Sequence, residues 1–96
     1  MSLSLEFEWD PRKAAANLAK HEVSFEEAAT VFGDPFGRII GDRRHSSEER
    51  RFALLGRCGQ GRLLAVMYVE RFEVVRIISA RRATGFERRT YEETLH

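Results

Sequence analysis

Hydrophobic and polar positions in the first third of the chain predict one short strand followed by two helices. Leu5–Trp9 alternates large apolar residues with two glutamates, which is the period of a half-buried strand. An Asp-Pro pair then predicts the start of a helix over 11–21, since Asp caps helix N-termini and Pro tolerates the first helical position. Ser24 predicts the start of a second helix, with Glu27 completing a capping box and a Gly-Asp-Pro sequence ending the helix.

The rest of the chain has the residue pattern of a sheet closed by one more helix. Strands are predicted over 36–40, 51–57, 63–70 and from Val74 onward, with a charged loop at 42–50 and a hairpin turn at 59–61. Thr84 and Glu87 form a further capping box, which predicts a C-terminal helix over 86–95. The expected fold is α+β, with two N-terminal helices and a C-terminal helix packed on one face of a curved, mainly antiparallel sheet of four or five strands. The opposite face is expected to stay open to a ligand.

Arginine residues interrupt and end the most hydrophobic of the predicted strands. Arg76 lies inside a β-branched run, and Arg81 and Arg82 follow at its end. A guanidinium group needs a partner when it loses water, and it holds phosphate through two parallel hydrogen bonds. The strand therefore indicates a site for a nucleic-acid backbone. The alternative is a solvated sheet face on which Arg76 pairs with Glu70 or Glu73.

The distribution of charge also indicates that the part of the chain around these arginines is the nucleic-acid surface. The 96 residues suit a single domain spanning 1–96, and their net charge is only +1. Residues 57–89, however, hold eight arginines against three glutamates, which gives this segment a charge of +5. Because a polyanion responds to the local field more than to the average, this segment is the expected nucleic-acid surface.

Composition argues against several other classes of protein. No apolar stretch approaches the roughly 18–20 residues of a membrane span, and the N-terminal residues lack the features of a signal peptide. Cys58 is the only cysteine, which excludes an internal disulfide and is typical of the reducing cytoplasm. The histidines and this cysteine show no metal-ligand spacing, so neither a metal nor another cofactor is expected.

Short motifs along nearly the whole chain resemble the BrnT-type toxins of bacterial type II toxin–antitoxin systems. The matching stretches are 7–11 (Phe-Glu-Trp-Asp-Pro) with Lys13 and Asn17, 20–21, 23–28, 31–32 with 34–35, Asp42 with His45, 49–50, and 76–84, followed by Glu87 and Tyr91. The family usually has glycine at two positions where this chain has Glu22 and Phe72.

The resemblance implies a RelE-like fold, RNA cleavage without a metal, and inhibition of translation and growth. It also implies a separately encoded cognate antitoxin as partner, with a toxin–antitoxin heterotetramer as one expected assembly. Such assemblies bind operator DNA through the antitoxin only, and no membrane partner is implied.

RNA cleavage through the ribose 2′-OH needs a base, cations around the phosphorus and an acid for the departing 5′-oxygen. The candidates for these catalytic roles are Lys20, His21, Glu70, Arg76 and Arg81. Histidine changes protonation near neutral pH, which favours His21 for proton transfer. Simple capping of the helix C-terminus by Lys20 and His21 is an equal alternative, and the assignment of acid and base stays open.

Other residues are predicted to contact partners. The candidates for RNA binding are Arg62, Tyr68, Ser79 and Arg82, with core packing as the alternative for Tyr68. His45 in the charged loop is a further candidate. The candidates for antitoxin binding are Phe86, Tyr91 and Leu95 of the C-terminal helix. A different class of function is also open, namely a non-catalytic module that binds nucleic acid or protein through the same basic surface.

Overall fold

The computed structural model describes residues 5–44 and 50–95, so the predicted loop residue His45 lies outside the described residues. The elements are β1 (Glu6–Glu8), α1 (Pro11–His21), α2 (Phe25–Thr30), a 3₁₀ turn (Val31–Gly33), β2 (Arg38–Arg44), β3 (Arg50–Arg57), β4 (Leu63–Arg71), β5 (Val74–Arg82) and α3 (Gly85–Thr94). Every predicted helix and strand is present. β2 begins two residues later than predicted and extends into the segment predicted as a loop.

Over the described residues, the strands form one mixed sheet in the order β1-β5-β4-β3-β2. Strands β2 to β5 are an antiparallel meander, and β1 adds to the β5 edge in parallel. The predicted α+β class is therefore confirmed.

The two faces of the sheet carry different layers. One face supplies Val66 and Ile77, among others, to the main core, where they pack with residues of α2 such as Phe25 and Ala28. The opposite face supplies Leu55 and Leu63, which pack with Tyr91 of α3. The C-terminal helix therefore lies across the sheet from α1 and α2, and not beside them as predicted. Only the part of this second face that α3 leaves uncovered is open.

Helix ends follow the predicted capping chemistry with one exception. Asp10 caps α1 by accepting a hydrogen bond from a backbone N–H of the first turn, and Thr84 and Glu87 form a reciprocal capping box on α3. Ser24 accepts the backbone N–H of Glu27 at 3.0 Å. The Glu27 carboxylate, however, turns toward the β3–β4 hairpin, where an arginine binds it, so the predicted capping box of α2 is only half formed.

Helix α1 is hydrogen-bonded to the part of the β5 edge that the short strand β1 leaves unpaired. Nδ2 of Asn17 donates to the carbonyl of Ala80 at 2.9 Å, and Oδ1 of Asn17 accepts the N–H of Ala80 at 3.1 Å. Nδ2 also donates to the carbonyl of Val23 at 2.9 Å. This pairing fixes the C-terminal end of α1, with Lys20 and His21, beside β5.

Candidate functional site

A β-bulge in β5 decides which arginines share a face of the sheet. Regular alternation would place Arg76 and Arg81 on opposite sides, because they are five positions apart. The pairing of β5 with β4 shifts by one residue at Ile78, which is left without a partner on β4. Beyond the bulge, Ser79 and Arg81 therefore return to the face that carries Arg76. Arg82 faces the other way.

Arg81 lines a groove of about 330 Å³ on the open part of the second face. Met67 of β4 forms part of the floor, and Arg51 of β3 and Glu87 of α3 line it from either side. Nε of Arg51 is buried and has no hydrogen-bond partner among the described residues. Because Arg51 lines the groove, its guanidinium group adds a second positive charge there. The sequence did not distinguish Arg51 from Arg50, because only the register with β4 shows which of the two faces the groove.

Glu87 holds the Arg81 side chain in place. The contact is bidentate, with Nη1 to Oε1 at 2.7 Å and Nη2 to Oε2 at 3.0 Å. Hydrogen bonding from Arg81, together with the N–H of Thr84, lowers the pKa of Glu87 from 4.5 to about 2 despite its burial. The carboxylate is therefore ionised at neutral pH and is a poor proton acceptor. Its effect is to orient the guanidinium group, not to act as a base.

A second concavity, of about 220 Å³, lies beside the groove. Lys20 and His21 line it from the end of α1, and Ser79 lines it from β5. Ser79 pairs directly with Met67, which lines the groove, and paired residues on neighbouring antiparallel strands lie roughly 5 Å apart. The fold therefore brings Lys20, His21, Ser79 and Arg81 into one region.

Arg76 lies on the same face, farther along β5. Its partner on β4, Val69, is four residues from Ala65, the partner of Arg81, so at about 3.3 Å per residue the two arginine backbones are roughly 13 Å apart. The guanidinium group of Arg76 pairs with Glu8 of β1 at 2.8 Å, and not with Glu70 or Glu73 as the alternative interpretation expected. Both side chains of this pair are about a third or more exposed, and such pairs contribute little to stability. The pair is therefore weak enough for a phosphate to compete for Arg76.

Tyr68 and Glu70 do not join this region. Tyr68 is 3% exposed, and its ring packs edge-on against Phe32 and stacks on Phe52. Burial, with a contribution from the charge of Glu70, raises the pKa of Tyr68. Glu70 lies two residues after Tyr68, so the two side chains share the face of β4 that is turned away from the groove. Glu70 is exposed near the end of that strand. These positions do not support the predicted roles of Tyr68 in stacking on RNA and of Glu70 in catalysis.

Arg62 and Arg82 lie away from the groove. Arg62 binds the buried carboxylate of Glu27 through Nε at 2.7 Å and through Nη2, and Cys58 Sγ donates to the same carboxylate at 3.0 Å. Hydrogen bonding from Arg62 is the main reason that the pKa of Glu27 is lowered. Arg82 is exposed, 3.7 Å from Glu22 at the end of α1. Neither arginine shares the open face with Arg76 and Arg81.

Only part of the predicted antitoxin surface is exposed. Tyr91 is 2% exposed, and its hydroxyl donates to Oδ2 of Asp34 at 2.7 Å. Burial and this hydrogen bond raise the pKa of Tyr91. Tyr91 therefore anchors α3 to the body of the protein, which corrects its assignment as a docking residue. Phe86 and Leu95 are exposed, at 72% and 46%.

The described residues hold neither a candidate metal-binding cluster nor a candidate membrane-spanning helix. No group of three or more His, Cys, Asp or Glu side chains is placed to hold a metal ion. No helix in the described ranges is long and apolar enough to cross a membrane.

Comparison with solved structures identifies the fold as that of a ribonuclease toxin. The crystal structure of the Brucella abortus ribonuclease toxin BrnT matches with a TM-score of 0.64 over 84% of this chain and 99% of that chain. Sequence identity is 19%, so this similarity shows a shared fold. Comparison with curated proteins gives no match.

Comparison with protein families identifies the family as well. The family model described as the ribonuclease toxin BrnT of type II toxin–antitoxin systems matches residues 9–87. Because the match covers most of the chain, the protein belongs to the BrnT family of ribonuclease toxins. The resemblance carried by the sequence motifs is confirmed, and the family implies a cognate antitoxin as partner.

Proposed function

We propose that this protein is a cytoplasmic endoribonuclease toxin that cleaves RNA without a metal ion, by attack of a ribose 2′-OH on the adjacent phosphorus. Cleavage of RNA would arrest translation and growth. The observation that carries the proposal is the bulge at Ile78, beyond which Ser79 and Arg81 lie on the same face as Arg76, while Ser79 also lines the concavity of Lys20 and His21. A phosphate bound between Arg81 and Ser79 would have a cation and a proton-transfer group nearby, and Arg76 would bind the RNA chain farther along β5.

The groove suits a phosphate whose negative charge grows during reaction. Arg81, held by Glu87, and Arg51 contribute positive charge to the groove from β5 and β3, on either side of β4. Preorganised cations of this kind typically contribute about 10²–10³-fold to the rate. Lys20 and His21 supply proton transfer and charge on the other side of Ser79, whose hydroxyl donates to a phosphate oxygen.

The nature of the products and the need for the 2′-OH test this mechanism. Purified protein should cut an RNA oligonucleotide in the presence of a metal chelator, leaving a cyclic phosphate or 3′-phosphate and a 5′-hydroxyl. A single 2′-deoxy nucleotide on the 5′ side of the scissile phosphate should abolish cutting there, because the nucleophile is missing. Undiminished cutting of this substrate would contradict the mechanism.

Arg81 is the residue whose loss should be most damaging. Arg81→Ala should lower the cleavage rate by about 10²-fold or more and abolish growth arrest when expressed in a bacterium. Arg89→Ala, which removes the same charge from an exposed position on α3, is the matched control. Tight RNA binding by the wild type with no products at all would instead favour the non-catalytic alternative.

We further propose that the antitoxin docks in a groove of about 480 Å³ between β2 and α3. Phe86 and Ile39 line this groove and are 72% and 55% exposed, so a partner would bury substantial apolar surface. Leu95, at the end of α3, is 46% exposed but does not line this groove. In this proposal operator DNA is bound only by the antitoxin of the assembly, and a heterotetramer is one form of that assembly.

Truncating Phe86 tests the docking surface. Phe86→Ala should weaken the complex with the cognate antitoxin by about tenfold or more, as expected for an aromatic anchor. Phe72→Ala is the matched control, because Phe72 is fully exposed in the β4–β5 turn and lies outside the groove. Titration calorimetry measures both, and equal affinities for Phe86→Ala and wild type would place the antitoxin elsewhere.

A further inference from the structure

Another arginine-lined concavity lies at the end of the sheet, outside the open face. Its volume is about 310 Å³. Four arginines from four elements or their turns converge on it, namely Arg57 of β3, Arg62 of the β3–β4 turn, Arg82 of β5 and Arg88 of α3. Four guanidinium groups around one small space repel one another, so an anion bound among them would be favoured.

These positive charges are only partly neutralised. Arg62 is bound to Glu27. Arg82 has a carboxylate at 3.7 Å, but both partners are mostly exposed, at 62% and 79%, and such a pair contributes little. Within the described part of the chain, Arg57 and Arg88 form no ion pair at 4.0 Å or less, although Arg57 interacts with the charge of Asp34. The concavity therefore keeps a positive field that an anion would feel.

Two of the guanidinium groups are already held in position. Nη2 of Arg62 donates to the backbone carbonyl of Glu22 at 2.9 Å, in addition to its contact with Glu27. Nη1 of Arg57 donates to the carbonyl of Gly61 at 2.9 Å, and its guanidinium group lies 5.5 Å from the centre of the Tyr91 ring. Groups that are fixed before a ligand arrives lose less conformational entropy when it binds.

We infer that this concavity binds a phosphate of the RNA chain that leaves the cleavage groove. The groove and the concavity lie on either side of the first turn of α3, because Glu87 lines the groove and the next residue, Arg88, lines the concavity. Guanidinium groups bind phosphate through paired hydrogen bonds. The inference rests on the proposed RNA cleavage, since a single strand seated on Arg81 would reach Arg88, and then Arg82, by crossing the first turn of α3.

The lining of the concavity favours RNA over an acidic protein partner. A stable protein interface has an apolar centre surrounded by polar groups. The lining here consists of arginines and a glycine together with Leu63, which is 2% exposed and cannot supply such a centre.

Binding of an uncleavable strand tests this site separately from catalysis. The probe is a fluorescent single-stranded oligonucleotide of 2′-O-methyl nucleotides, titrated with the full chain over a range of salt concentrations. Arg88→Ala and Arg82→Ala should each weaken binding several-fold and reduce the slope of log affinity against log salt by about 0.7, the value for one phosphate contact on a single strand. Arg89→Ala, the neighbouring exposed arginine of α3, should keep the wild-type slope.

Each outcome of this experiment has a distinct meaning. Equal effects of Arg88→Ala and Arg89→Ala would overturn the site, because they would reflect total charge alone. If Arg88→Ala weakened the binding of poly-glutamate as much as the binding of the oligonucleotide, the assignment to RNA would be overturned in favour of an acidic protein. Wild-type protein that binds the strand through Arg88 but never cuts cleavable RNA would refute the proposed catalysis and leave the phosphate site standing.

Discussion

The side chain of Asn17 makes the two hydrogen bonds with the backbone of Ala80 that a neighbouring strand would otherwise make. Its side-chain amide offers one donor and one acceptor, which match the carbonyl and the N–H of Ala80 on the unpaired edge. The remaining amide hydrogen goes to Val23, just before α2. One buried side chain thus joins three parts of the chain, and it holds Lys20 and His21 in place near the groove.

Changing this amide to a carboxylate should be costly. Asn17→Asp is nearly isosteric, but it places an oxygen against the carbonyls of Ala80 and Val23, where Nδ2 donates in the wild type. We expect the free energy of unfolding, measured with urea at neutral pH, to fall by about 2–4 kcal/mol. Leu18→Ala, an exposed change on the same helix, should alter it by about 0.5 kcal/mol or less. Similar losses in the two variants would show that the Asn17 hydrogen bonds are unimportant.

At the scale of elements, two non-glycine residues among the described ranges occupy the left-handed region. Glu22 at the end of α1 has φ 58°, and Phe72 in the β4–β5 turn has φ 55°. These are the two positions at which the family usually has glycine. Left-handed φ costs an L-residue about 1–2 kcal/mol, so both turns are strained by the side chain that this sequence carries. The geometry of the turns is nevertheless kept, because α1 and the β4–β5 hairpin fix it.

Glycine at the end of α1 should therefore stabilise the protein. Glu22→Gly should raise the free energy of unfolding by about 0.5–1 kcal/mol, the relief of strain less the entropy of the more flexible unfolded chain. Glu22→Ala removes the same exposed carboxylate but keeps the strain, so it should give no gain. Urea unfolding of both variants distinguishes the two causes, and a gain in Glu22→Ala alone would point to charge instead of backbone conformation.

At the scale of the whole molecule, carboxylates join elements that are distant in sequence. Glu87 joins α3 to β5, and Glu27 joins α2 to the β3–β4 hairpin. Asp34 accepts the N–H of Arg57 in β3 and the hydroxyl of Tyr91 in α3. Hydrogen bonding from Arg81 lowers the pKa of Glu87, and hydrogen bonding from Arg62 lowers the pKa of Glu27. Burial raises the pKa of Asp34, but the hydrogen bonds from Arg57 and Tyr91 outweigh it, so this pKa is lowered as well. Ionised carboxylates therefore help to hold the layers together.

This arrangement predicts acid sensitivity with a definite sign. A carboxyl whose folded pKa is lowered contributes stability above its unfolded pKa, and the contribution is lost as pH falls through the folded value. For Glu87 that window runs from 4.5 down to about 2. Urea midpoints should therefore fall across this range, and Glu87→Gln should make the fall shallower and lower stability at neutral pH. Glu92→Gln, at an exposed position of α3, should leave the profile unchanged, and equal profiles for wild type and Glu87→Gln would contradict the assignment.

The sequence by itself determined the local elements, the fold class and the family. Capping residues and the spacing of apolar positions act over a few neighbouring residues, so each helix and strand could be predicted from its own segment. The arginines of β5 could likewise be predicted as phosphate ligands from their place in a hydrophobic strand, and that role stays a prediction.

Tertiary structure alone decided which of these arginines share a face of the sheet. The bulge at Ile78, the position of Arg51 in the groove and the pairing of Arg76 with Glu8 all depend on the register between strands. The side of the sheet taken by α3 depends on where Tyr91 finds a buried partner in Asp34. Register and packing are set by contacts between residues far apart in the chain, and the pattern within a single segment carries no information about them.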